Sequence, residues 1–198
     1  MQIVTHPLFL NFGETSQMNF PIILIIGREP NNDSISDATV GQYDFKTHPK
    51  CAFWNTAFKL VGSYNDITTA ELKKLFIKNN SSPIVFTDAS PKGIPNIVSA
   101  KNKIRSTLAE AEIKEHIKSI FNNEKLINRV KFVLFSGLEN NKYNMFKTLF
   151  NEQAIERQIP ITEISFLIGN NYPKIQKKIC DKEIKILIDV YKEYETTY

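Results

Sequence analysis

The chain is poor in the residues that build metal centres and in the runs that span membranes. Only two of its 198 residues are cysteine, Cys51 and Cys180, and neither belongs to a C-x-x-C pair. That argues against a cysteine-built zinc or iron–sulfur site. It leaves both as buried or incidental thiols of a reducing compartment. No apolar stretch approaches the roughly 18 residues a membrane helix needs; the longest, Phe20 to Ile26, is strand-sized and carries Pro21. The opening MQIVTHPLF lacks a basic n-region, so no signal peptide is expected. Repeats, low-complexity tracts and linker-like stretches are missing. So are the phosphate loops G-x-G-x-x-G and G-x-x-x-x-G-K-[ST] and the hydrolase elbow G-x-S-x-G. The expectation is a cytoplasmic protein, nucleoid-associated at most, with no membrane partner, no metal and no cofactor.

What is present reads as one globular domain over residues 1–198, expected to be a monomer. Hydrophobic residues make up 42% and charged residues 23%, a composition that can bury a core. The net charge of +4 allows an anionic partner without requiring one. The positive charge is uneven: Lys174, Lys177, Lys178, Lys182 and Lys185 crowd the start of the last segment. Such a cluster is either a solvated helix face or an anion-binding surface.

The hydrophobic pattern alternates strand and helix. Phe20–Ile26 is a continuous apolar run ending at Gly27, as expected of a strand buried on both faces. Further strands are expected at Pro83–Thr87, Val130–Phe135 and Ile161–Ile168. Helices are expected at Ala52–Val61, at Thr68–Lys78 behind a Thr68/Thr69-to-Glu71 capping box, at Ile104–Asn122 and at Tyr143–Phe150. A last helix is marked by Ile175, Ile179, Leu187, Ile188 and Tyr191. This order implies an α/β three-layer sandwich, in which a mostly parallel four-stranded sheet is covered by helices on both faces. Ligands of such sheets bind where the strands end, which selects the loops after Ile26, Thr87 and Ile168. Ser136-Gly137, after the third strand, is too short a signal to add a fourth.

The loop from residue 28 to 50 is long and polar, and long loops in compact domains are usually functional. Gly27 lets the backbone turn as it leaves the strand, and Pro30 restricts the next step. Glu29 is then held at the sheet rim. It can serve as a general base or stabilise a cation, or it can simply pair with Arg28 or a lysine. Downstream stand Tyr43, Phe45, Phe53 and Trp54. Phe53 and Trp54 open a helix and read as core, whereas Tyr43 and Phe45 are the better stacking candidates for a nucleobase. The histidines are His6, His48 and His116. Only His48 lies in this loop, where it reads as a surface residue or as one within reach of a pocket.

Gly27-Arg28-Glu29-Pro30-Asn31, Gly41-Gln42-Tyr43-Asp44-Phe45, Phe53-Trp54-Asn55, Ile84–Pro95 and the closing Leu167–Pro173 stand in an order covering about residues 20 to 195. That order resembles the uracil-DNA glycosylase superfamily, and its mismatch-specific uracil/thymine branch in particular. The branch carries G-x-N-P-G after its first core strand, a glycine-led aromatic stretch, then Phe-Trp at a helix start. The resemblance implies an enzyme that flips a nucleotide out of DNA, reads its base in a pocket and hydrolyses the N-glycosidic bond of uracil or a related damaged base. Glu29 would orient the attacking water and offset the positive charge developing on the sugar. Phe45, or else Tyr43, would stack on the base. Gly27, Arg28, Pro30, Asn31 and Asn55 would line the pocket. Asn170, Asn171 and Tyr172 would grip flanking phosphates or wedge into the gap, with Lys174, Lys177 and Lys178 adding phosphate contacts.

Two departures stand out. The branch has Asn where this chain has Glu29; other branches use Asp, one methylene shorter. The superfamily's last loop often carries a histidine or serines, and here it reads Gly169-Asn170-Asn171. Two other readings therefore stay open. One is a binding module for nucleic acid, a nucleobase or a partner on the same scaffold, without catalysis. The other is an unrelated flavodoxin-like domain, against which the missing phosphate loop counts.

Overall fold

The computed structural model describes residues 4–5, 9, 19–28, 51–93 and 109–198. Its centre is a four-stranded sheet in which every neighbouring pair is parallel. In chain order the described elements are β1 (Val4–Thr5), β2 (Ile22–Gly27), α1 (Ala52–Ser63), α2 (Thr69–Asn79), β3 (Ile84–Asp88) and β4 (Lys92–Gly93). They continue with α3 (Glu110–Asn122), α4 (Glu124–Ile127), β5 (Val130–Ser136), α5 (Asn144–Glu156), β6 (Ile161–Ile164), α6 (Tyr172–Gln176) and α7 (Asp181–Thr197). The two-residue strands β1 and β4 pair with each other, antiparallel. The main sheet runs β3-β2-β5-β6.

All six residues of β2 and all five of β3 are buried, which is why these strands lack polar alternation. α1 packs with α2, α6 and α7, and α3 with α4 and α5. The two helical layers thus cover the two faces of the sheet, as the strand–helix alternation requires. α3 buries Ile113, His116, Ile117, Ile120 and Phe121, and α7 buries Leu187, Val190, Tyr191 and Tyr194. Both sets recur at i, i+3, i+4 and i+7, one apolar stripe per helix. The capping box of α2 forms as expected: Glu71 N donates to Thr68 Oγ1 at 3.2 Å and Thr68 N to a Glu71 carboxylate oxygen at 2.9 Å.

Four expected boundaries are corrected. β6 stops at Ile164 rather than Ile168. Leu167 N donates to the Ser136 hydroxyl and Ile168 N to the Phe166 carbonyl, so the chain leaves the ladder and turns. The closing helix is two helices. α6 starts with Tyr172 and Pro173, and α7 has its own start, where Cys180 N donates to Glu183 at 2.8 Å. α3 begins at Glu110, because Ala109 is extended at φ −71°, ψ 145°; residues 104–108 lie outside the described residues. α5 runs on to Glu156, six residues past Phe150, because Ala154 continues the Phe146/Phe150 stripe. Of the thiols, Cys180 is exposed and Cys51 half-buried. Among the described residues no helix is long and apolar enough to cross a membrane.

Candidate functional site

Because every strand of the main sheet runs the same way, all four carboxyl ends open onto one rim. The last registered pairs are Gly27↔Asp88, Ile26↔Phe135 and Ser136↔Ile164. β3 and β5 flank β2 on opposite sides. The chain therefore leaves β2 toward one neighbour and later returns to the other. That is a topological switch point, and the crevice above it is where open α/β sheets hold ligands.

Arg28 is the first residue past β2, and its side chain crosses that crevice. Its Nε donates to the Gly137 carbonyl at 2.5 Å. Its guanidinium lies over Phe166, with Cζ 5.5 Å from the ring centroid. Glu139 is 3.8 Å from Nη2. One side chain thus touches the turns leaving β5 and β6 as well as its own, so the turns that leave the opening and closing strands do meet. Gly137 sits at φ +72°, a left-handed conformation that favours glycine, and a Cβ there would stand 3.1 Å from Arg28 Nε.

On the other side of β2, two further hydrogen bonds extend the ladder with β3: Ala89 N to the Gly27 carbonyl at 2.9 Å and Ser90 N to the Arg28 carbonyl at 3.0 Å. Asp88, buried, lies against Gly27. A Cβ on Gly27 would stand 2.7 Å from Asp88 Oδ1 and 2.8 Å from two carbons of the Phe86 ring. Phe86 cannot give way, because Phe53 packs on it edge-on at 4.8 Å and Trp54 at 6.5 Å. Gly27→Ala is therefore expected to cost about 1–3 kcal/mol by overpacking, read as a lower urea midpoint with an unchanged slope.

Beneath Asp88, His116 of α3 is buried, and its Nε2 donates to the Asp88 carbonyl at 2.6 Å. A carbonyl only accepts, so Nε2 carries the proton of the neutral ring. Burial holds the His116 pKa below its usual 6.5, outweighing the upward pull of that hydrogen bond. The unfolded chain then binds a proton that the folded chain refuses. Stability is complete above about pH 6.5 and falls as the pH drops from there toward the folded-state pKa, by at most about 1.4 kcal/mol per pH unit. A series of urea melts from neutral to mildly acidic pH should show this loss, and His116→Gln should not show its share.

The remaining site residues divide. Asn171 donates from Nδ2 to the Phe166 carbonyl at 2.9 Å, which secures the last turn, and Asn170 is exposed beside it. Lys174, Lys177 and Lys178 are exposed. Tyr172, expected at a nucleic-acid contact, is instead 7% exposed. Its hydroxyl donates to Ser63 at 2.8 Å and Lys59 Nζ sits 4.3 Å from its ring centroid, so it packs α6 onto α1. Asn55 lies in the first turn of α1, half-buried, and its Oδ1 has no hydrogen-bond partner among the described residues. Glu29, Pro30, Asn31, Tyr43, Phe45 and His48 lie outside the described residues.

Three groups at this rim were not singled out as site residues in the sequence: Asp88, Phe166 and Gly137 with nearby Glu139. Asp88 ends an apolar strand in register with Gly27, which is a usable signal. Phe166 fell inside what reads as a longer strand. Among the described residues no cluster of three or more histidine, cysteine or acidic side chains has metal-binding spacing. Comparison with known proteins adds no relative: no family model matches the chain, and no curated protein does.

Proposed function

We propose that this chain is a cytoplasmic, monomeric DNA glycosylase of the uracil-excising kind, which flips uracil or a related damaged base into the crevice above β2 and β5 and hydrolyses its N-glycosidic bond. The observation that carries this reading is the meeting of the turns after β2 and β6 through Arg28 and Phe166. It brings Gly27 and Arg28, the described part of the first motif of the resemblance, and the Asn170/Asn171 turn to one rim. Glu29, the residue after Arg28, is the proposed water-orienting base. Tyr43 or Phe45 supplies the stacking ring, and Lys174, Lys177 and Lys178 supply phosphate contacts.

The test is incubation of the protein with single- and double-stranded oligonucleotides containing uracil, a thymine mismatch or hypoxanthine, followed by alkali. Strand breaks at the modified position are the expected result. One observation favours the second reading, a binding module without catalysis: Arg28 lies across the crevice and is tied to Gly137. Salt-sensitive DNA binding without strand breaks would establish that reading. Neither binding nor cleavage would end both.

A further inference from the structure

Arg28 reaches into the switch-point crevice, and among the described residues most of its hydrogen-bonding capacity is unspent. A guanidinium has five N–H donors, and the Nε donor goes to Gly137. The other four, on Nη1 and Nη2, make no hydrogen bond among the described residues. The acid in reach among the described residues, Glu139, is half exposed and stands 3.8 Å from Nη2, an ion pair in solvent rather than a hydrogen bond. The Gly137 bond and the Phe166 ring nevertheless fix the guanidinium plane. The side chain is about one third exposed, so the group is held in place and open to a ligand at once. A planar fork with two adjacent nitrogens suits two oxygens of one phosphate.

We infer that Arg28 is the phosphate-binding residue of this crevice. Its Nη edge takes two oxygens of a nucleotide's phosphate, which displaces Glu139, while Nε stays on Gly137 and keeps the fork aimed. The inference rests on the proposed reading that a nucleotide enters the crevice, and it adds the group by which that nucleotide is held. The phosphate is that of a free mononucleotide or of a strand, and the two sources separate experimentally.

The full chain is titrated calorimetrically with inorganic phosphate, deoxyuridine, deoxyuridine monophosphate and a short uracil-containing single strand. Deoxyuridine monophosphate is expected to bind about tenfold or more tighter than deoxyuridine, the worth of charge-assisted hydrogen bonds. Arg28→Gln should erase that difference. Glu139→Gln removes the competing acid and should tighten phosphate and monophosphate binding several-fold. A clamp with a purely structural role predicts the opposite sign, since losing Glu139 would only loosen the turn. Arg28 dependence with the strand alone marks a strand phosphate, and dependence with the monophosphate marks a free nucleotide. Equal binding of deoxyuridine and its monophosphate, together with strand binding indifferent to Arg28→Gln, would overturn the inference. So would Glu139→Gln weakening or not changing the binding of whichever of the two ligands depends on Arg28. Uracil release measured on the same variants keeps the two claims apart. Release without phosphate discrimination removes only the role of Arg28; discrimination without release removes only the excision chemistry.

Discussion

On the proposed glycosylase reading, replacing Glu29 by glutamine is expected to slow uracil release by about 10²–10⁴-fold, the usual contribution of a positioned general base. Glutamine keeps the length of the side chain and its capacity for hydrogen bonding. It cannot accept the proton of the attacking water, and it carries no charge to set against the cationic sugar. Glu29 directly follows Arg28, whose carbonyl accepts from Ser90 N at 3.0 Å. Single-turnover strand-break assays on the uracil strand, at equal occupancy of the wild type and Glu29→Gln, measure the effect on chemistry rather than on binding. Glu29→Asp adds a test of reach. Shortening the acid by one methylene should restore part of the rate if the water sits close, and none if the longer arm is needed. A Glu29→Gln rate equal to wild type would hand the base role to another acid, with buried Asp88 beside Gly27 next to be tested.

The largest effect expected on stability is that of Trp54→Ala, about 3–5 kcal/mol. Trp54 is the chain's one tryptophan and is 1% exposed. Its ring packs on Phe58 at 5.7 Å, Phe53 at 5.3 Å and Phe86 at 6.5 Å between centroids. Truncation removes the hydrophobic transfer energy and leaves a cavity between α1 and β3 that rigid aromatic neighbours fill poorly. The variant has no tryptophan fluorescence, so its urea unfolding is followed by circular dichroism. A cost below about 1 kcal/mol would mean that the helix collapses onto β3 without the indole. The consequence reaches the rim, because Phe53 bridges Phe86 and the Phe166 ring that lies under Arg28. Affinity for deoxyuridine monophosphate should therefore fall with stability in Trp54→Ala, even though Trp54 itself is buried in the core.

The legible parts of the fold were those written in local pattern. FPIILII reads as a doubly buried strand because a parallel central strand has no wet face, and β2 is buried at every position. The Thr68-to-Glu71 box reads as a helix start because both of its hydrogen bonds close within one turn. The failures had non-local causes. ITEISFLI carries the same apolar density up to Ile168, yet its ladder ends at Ile164, where the partner strand ends at Ser136 and the Ser136 hydroxyl takes Leu167 N. Tyr172 reads as a surface aromatic in a polar loop; its burial depends on Ser63 and Lys59, more than a hundred residues earlier in the chain. At the rim, Arg28 was legible as a pocket-lining residue directly after the first core strand. That it would reach the Gly137 carbonyl and the Phe166 ring was not.

Hydrophobic periodicity, strand–helix alternation and capping chemistry settled the α/β class and the places of β2, β3 and β5. Each acts within a few residues, through side-chain burial or through hydrogen bonds that the backbone closes on itself. The order β3-β2-β5-β6 and the crossing of Arg28 over it came from tertiary structure alone. Strand order depends on which faces the crossing helices cover, and an arginine's partner depends on which carbonyls and rings the finished sheet brings within its reach. Neither quantity is carried by any short stretch of chain.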